Sequence, residues 1–262
     1  MTTRMLEELR PRQIMAAVRR NGLVFLPISP CLEWHSWHLP LGVDGLIAEE
    51  LARALARRLR AVYCRALPLG LDEWRSRAFK RCMGLPPTAR VFGMNFPALP
   101  LRSEYHTPAL LRGMLRARLE MLRGCGFRTV VVLNHHGGRG QLPLLEATCR
   151  AAGTAKFHVL CLQTGKHCTL QPLAVRARQL RVGGHAGMLE TLQFMAVRPE
   201  LVALRQLPKG RLRVAAHGIL HHEPIIAAAD NPRGVSSALA RAWRRNVLEN
   251  LTAAVVAALR QS

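Results

Sequence analysis

An α/β fold, with a mostly parallel sheet covered by helices on both faces, is predicted by three observations. Short apolar runs alternate with longer segments of helical periodicity along the chain. The runs LVFLPI (23–28) and TVVVL within FRTVVVLN (127–134) are apolar at successive positions, as in strands buried on both faces. No internal repeat or low-complexity linker breaks the alternation, so residues 1–262 read as one domain long enough for a full core.

Taken in order, LVFLPI is the first strand. DGLIAEELARALARRLR (44–60) follows with apolar residues at helical spacing, and AVYCRALPLG (61–70) is a second strand. Residues 71–105, rich in Gly, Pro and Arg, predict a long irregular excursion. TPALLRGMLRARLEMLRGCG (107–126) is a helix with Thr107 as N-cap, Pro108 in the first turn and Gly124 or Gly126 at its end. FRTVVVLN is the strongest strand. LPLLEATCRAAG (142–153) is a helix closing on glycine, and KFHVLCLQ (156–163) is a further strand. HAGMLETLQFMAV (185–197) and SSALARAWRRNVLENLTAAVVAALRQ (236–261) are helices, the last amphipathic.

Composition narrows the function classes. A hydrophobic fraction of 49% and a charged fraction of 21% are globular values. No run approaches the roughly 18 apolar residues of a membrane span. The N-terminal residues carry scattered charges and do not read as a secretion signal. Seven cysteines without CxxC spacing predict reduced thiols in a cytoplasm, several of them as small buried hydrophobes.

The net charge is +22, and only four of 38 basic residues are lysines: Lys80, Lys156, Lys166 and Lys209. A GC-rich genome explains the arginine preference but not the total of only 16 acids, which points to an anionic partner or substrate. Nucleic acid is the weaker choice, because the basic residues are spread over several helices and aromatics make up only 5%.

In a parallel sheet, functional groups gather at the carboxyl ends of the strands. Three polar clusters fall there or at a helix start. CLEWHSWHLPLGVDG (31–45) holds Glu33, His35, His38 and Asp44; NHHGGRG (134–140) holds His135 and His136; GGHAGMLETL (183–192) holds His185 and Glu190. Imidazoles with carboxylates suit zinc, manganese or iron, and a bridging carboxylate favours two ions with an activated water between them.

LEWHSWHLPLGVD resembles the signature of the creatininase family of metal-dependent amidohydrolases: Glu, any residue, His, two residues, His-Leu-Pro, then Asp. NHHGGRG resembles its Asn-Gly-His-Gly-Gly-Asn turn, HAGMLETL its His-Ala-Gly-x-x-Glu-Thr-Ser, and ADNPRGVSSALARA its late Asp/Pro loop before the last helix. The resemblance spans residues 23 to about 245.

It implies a three-layer α/β/α sandwich and two divalent ions (Zn, Mn or Fe). Their ligands would be Glu33, His35, Asp44, His136 and Glu190, with Asp44 bridging. His185 matches a pocket histidine able to carry a proton near the scissile amide. Trp37 and His135, bulky where the family has Pro and Gly, are expected to touch substrate. The implied reaction is hydrolysis of a C–N bond, in an amide or cyclic amide of a small molecule or short peptide. Alternatives are hydrolysis of a cyclic ketone or lactone-like sugar derivative, or a degenerate relative binding nucleic acid. Family members commonly form hexamers, so a homo-oligomer is expected.

Trp34, Ser36 and Trp37 replace the usual Gln, Gly and Pro, Arg139 replaces Asn, and Gly183 stands where relatives have an acid. The metal site is therefore expected to survive while the substrate does not transfer. His38 is expected to make a structural hydrogen bond. His221, His222 and Glu223 are expected at a pocket rim or subunit contact, and EWRSRAFKR (73–81) as a solvated face, with binding of an anionic substrate group as its alternative. A separation beyond about 10 Å between Glu33, Asp44 and Glu190 would break the metal reading.

Overall fold

A computed structural model describes residues 4–171, 173–175 and 184–260. Gly183, and Gln261 at the predicted end of the last helix, lie outside them. The chain runs α1 (Pro11–Arg20), β1 (Leu23–Ser29), α2 (Val43–Arg58), β2 (Val62–Tyr63), β3 (Leu67–Pro68), α3 (Arg77–Cys82) and α4 (Pro108–Gly124). It continues with β4 (Thr129–Asn134), α5 (Gln141–Ala152), β5 (His158–Gln163), α6 (Met188–Met195) and α7 (Ser237–Arg260).

The sheet has the order β2-β1-β4-β5, with β3 also beside β1, and every pairing is parallel. β1 and β4 are buried at every position, as their unbroken apolar runs require. Side chains alternate between two cores. Phe25, Val131 and Leu133 face α2, α6 and α7, meeting Ile47, Leu51, Phe194 and the fully buried Trp243. Val24, Leu26, Val130 and Val132 face α1, α4 and α5, meeting Ala17, Leu115, Leu119 and Leu145. This is a three-layer α/β/α sandwich. A third cluster, including Trp34, Met94, Phe96 and Ile219, packs the loops over one another. No described helix is long and apolar enough to cross a membrane.

Four details differ from the sequence expectation. The predicted strand over 61–70 is two short ones, because the N–H groups of Arg65 and Ala66 turn to the carboxylates of Glu7 and Glu49 instead of the ladder. α1 was not anticipated; it buries only Ala17 fully, so its apolar signal is thin. α6 begins at Met188, because Ala186 sits at φ 53° and leaves His185 in the preceding turn. The stretch 73–81 is a solvated face only in part: Trp74, Ser76, Arg77, Ala78 and Arg81 are exposed, but two of its cations are not. Lys80 is buried and donates to the carbonyls of Pro87 and Ala89, and Arg75 also points inward. By contrast, Thr107 caps α4 as predicted, its hydroxyl accepting from the N–H of Leu110 at 3.2 Å.

Candidate metal centre

The order β2-β1-β4 makes β1 and β4 the place where the chain's winding reverses, and residues after their carboxyl ends meet there. Ile28 pairs with Asn134 at that edge. The loop after β1 is pinched by the Glu33 N–H to the Leu41 carbonyl at 2.9 Å, then enters α2, which carries Asp44 in its first turn. Glu190 occupies the first turn of α6. Both carboxylates thus sit where a helix presents its positive end.

The loop after β4 is held by a buried amide network. Asn134 Nδ2 donates to the His136 carbonyl at 2.9 Å, Gln141 Nε2 donates to Asn134 Oδ1 at 2.9 Å, and the His135 N–H donates to Ser29 Oγ at 3.0 Å. These bonds leave His136 little freedom.

Each imidazole at the centre has one nitrogen committed to a backbone carbonyl. His35 Nδ1–H donates to the Glu33 carbonyl at 2.9 Å, and His136 Nε2–H donates to the Leu71 carbonyl at 3.1 Å. The remaining nitrogens face the carboxylates. His136 Nδ1 lies 2.8 Å from Asp44 Oδ2 and 3.4 Å from Glu33 Oε2; His35 Nε2 lies 3.6 Å from Glu190 Oε2. Fixing one ring nitrogen on a carbonyl so that the other presents its lone pair is how proteins prepare histidine for a metal.

Ligand atoms of Glu33, Asp44 and His136 all lie within 4.8 Å of one another, as do those of His35, Asp44 and Glu190, and of Glu33, His35 and His185. Glu33 Oε2, His35 Nε2 and Asp44 Oδ1 are buried without a hydrogen-bond partner. An unsatisfied buried polar atom costs about 1–3 kcal/mol, and more if charged. A cation between these atoms satisfies all three, so the donor set fits a divalent metal.

The titration behaviour has the same cause. Burial by itself would raise the Glu33 carboxyl, but His136, His185 and His35 hold it well below the usual range. Burial would lower His136 and His35; the surrounding carboxylates instead raise both, Glu33 and Asp44 acting on His136, and Glu190, Asp44 and Glu33 on His35. The cluster attracts positive charge. Cys31 stands apart, its thiol pushed up to about 11 by burial and by Glu49, Asp44 and Glu104.

A cavity of about 190 Å³ opens onto the cluster, and His135, His185 and Glu190 line it. His185 Nε2–H donates to the Trp34 carbonyl at 2.6 Å, leaving Nδ1 3.7 Å from Glu190 Oε2, and its ring lies 4.2 Å from that of His35. His135 Nδ1 bonds the Thr164 hydroxyl at 2.6 Å. Trp37 is not brought to this cavity. The turn at Ser36, with φ 62°, carries it outward to 43% exposure against the edge of Trp34.

His38 bonds Thr191 Oγ1 at 2.7 Å, and His221 donates to Asp230 Oδ2 at 3.0 Å; both are buried outside the cluster. Burial, with His35 and Arg233, holds His38 down at about 3 against an ordinary 6.5. The folded chain therefore binds fewer protons than the unfolded one below pH 6.5, and stability falls as pH drops. This histidine alone removes ~2 kcal/mol by pH 5. Denaturant midpoints measured from pH 7 to 5 should fall more steeply for the wild type than for His38→Gln; equal slopes would refute the assignment.

Two residues at the site, Tyr105 and Asp72, gave no sequence signal, and Arg75 belongs to the basic stretch 73–81, for which an anionic substrate group is the second reading. The Tyr105 hydroxyl donates to Glu33 Oε1 and accepts the Met94 N–H at 2.9 Å, turning Glu33 Oε2 toward the cluster. A side chain at Gly93 would fall on the Tyr105 ring. Asp72 and Arg75 line the cavity from the 71–105 excursion. Tyr105→Phe should fold normally and bind metal about 10–100-fold more weakly, as measured by competition with a chelator; unchanged affinity would remove Tyr105 from the site.

A parallel α/β/α sandwich with buried imidazoles and carboxylates converging at its strand ends, in groups able to hold metal, belongs to the class of metal-dependent α/β enzymes. Within that class, the family described as creatinine amidohydrolase (creatininase) matches residues 7–91 and 104–259, and this chain belongs to that family of metal-dependent amide hydrolases. Similar solved structures include a creatinine amidohydrolase (creatininase), at 18% identity and TM-score 0.70, covering 97% of each chain. Creatininase in an Mn form (TM-score 0.69) and a mutant creatininase of Zn–Zn type (TM-score 0.69) are also similar, each 18% identical and covering 97% of this chain and 98% of its own. No curated protein sequence matches.

Proposed function

We propose that this chain is a binuclear metal-dependent hydrolase of a C–N bond in a small amide, cyclic amide or short peptide. The observation that carries the reading is that two of the candidate groups, Glu33 with Asp44 and His136 and His35 with Asp44 and Glu190, together contain all five implied ligands and share only Asp44. Glu33, Asp44 and His136 would hold one ion and His35, Asp44 and Glu190 the other, with Asp44 bridging. Zinc, manganese and iron all suit this donor set, and two similar creatininases carry Mn or Zn–Zn in their names. When bound, the two cations supply an acidified water and polarise the substrate carbonyl.

The chain's own residues do the rest. Tyr105 orients Glu33, and the Leu71 and Glu33 carbonyls fix the tautomers of His136 and His35. His185, with Nε2 anchored on Trp34, carries a proton to the leaving nitrogen at Nδ1. His135 lines the wall against which the substrate rests. We place the enzyme in a reducing cytoplasm on its seven cysteines, an odd number without CxxC spacing.

The test is metal content and turnover together. The purified chain should carry about two ions and hydrolyse at least one member of a panel of cyclic amides, formamides and short peptides. Chelation should abolish the activity and metal should restore it. Turnover that survives complete metal removal would refute the reading.

A further inference from the structure

We propose that the substrate of this site carries a carboxylate, and that Arg75 receives it. The inference rests on the hydrolase reading and adds the substrate class to it. Arg75 is the only lysine or arginine among the described residues lining the 190 Å³ cavity that holds Glu33, Asp44, His136 and Glu190. Its side chain is 11% exposed and fixed on three sides. Nη2 donates to Asp72 Oδ2 at 2.7 Å, Nε donates to the Gly93 carbonyl at 3.0 Å, and the guanidinium carbon lies 4.8 Å from the centre of the Phe79 ring.

Those contacts use Nε and part of Nη2. Nη1 makes no hydrogen bond with any described residue, so a planar fork of donors remains, already immobilised. An arginine held this way loses little freedom when a carboxylate docks, and it offers two parallel N–H groups to one anion.

An arginine serving only to staple the excursion would bond Asp72 and Gly93 without needing to face the cavity. The charge balance also favours an anion. Asp72 offsets Arg75, and the carboxylates of Glu33, Asp44 and Glu190 fall short of the charge of two divalent cations. The chain's net +22 attracts anions at longer range. A cavity of 190 Å³ is smaller than the roughly 300–1,000 Å³ of typical ligand sites, so the substrate is a small carboxylated amide.

The experiment is calorimetric titration of succinamate, which has a carboxylate at one end and an amide at the other, beside neutral succinamide. Wild type, Arg75→Met and Arg75→Lys are each compared metal-free and zinc-loaded. Wild type should bind succinamate about tenfold or more tightly than succinamide. Arg75→Met should lose that preference at unchanged metal content, and Arg75→Lys, which keeps charge but not the fork, should retain part of it. Equal affinities in the wild type, no binding of either compound, or a preference that survives in Arg75→Met would each overturn the proposal. The preference is expected in full in the zinc-loaded protein and weaker in the metal-free one, where Glu33, Asp44 and Glu190 lack their counter-charge. Failure to bind metal would defeat the hydrolase reading, while the difference between wild type and Arg75→Met in metal-free protein would still read Arg75.

Discussion

Asp44→Asn is expected to lose both metal ions together. Elemental analysis should read about two ions in the wild type and close to none in the variant, because in the proposed binuclear site Asp44 would serve both positions. Asparagine keeps the shape of the side chain and can still bond His136, so folding should survive where Asp44→Ala takes from the buried His136 Nδ1 its partner at 2.8 Å. Glu190→Gln should lose about one ion, since Glu190 joins only the group built with His35. A second readout follows from linkage. Each ion present at 1,000 times its dissociation constant adds about 4 kcal/mol to stability. Added zinc should therefore raise the melting temperature of the wild type and leave Asp44→Asn unmoved. Two ions retained in Asp44→Asn would end the bridging assignment.

Gly138→Ala should be nearly as damaging, and Gly137→Ala harmless. A Cβ at Gly138 would fall on His136 Nε2 and the Leu71 carbonyl, the bond that sets the tautomer of His136. Either the imidazole or the Leu71 backbone must move, at about 1–3 kcal/mol for an overpacked site. The ion held by Glu33, Asp44 and His136 should be lost and activity with it. A Cβ at Gly137 meets nothing within 4 Å, so its stability should stay within about 0.5 kcal/mol of wild type. Equal metal content in the two variants would show that His136 is not positioned by this contact.

Much of the fold was legible in the chain. β1 and β4 announce themselves as apolar runs, and α4 by its Thr107-Pro108 start. α2, α5 and α7 follow helical periodicity. Two of the places that failed share a cause. The strand over 61–70 divides because Glu7 and Glu49, distant in sequence, capture its N–H groups. Arg75 and Lys80 look like ordinary surface charges until the excursion folds over them. Local propensity cannot register a partner brought from elsewhere in the chain.

The candidate site divides in the same way. The types and order of Glu33, His35, Asp44, His136, His185 and Glu190 are written in three short motifs at strand ends and a helix start. The parallel α/β winding follows from the alternation of the elements. Only the tertiary structure decided which atoms meet. It brings His136 to Asp44 across 92 residues and Tyr105 to Glu33 across 72, turns Trp37 outward at Ser36, and leaves no room for a side chain at Gly138 beside an open Gly137. Periodicity records how a residue relates to neighbours three or four positions away. A metal centre is made by side chains that only the packing of the sheet and its helices brings within a few ångströms of each other.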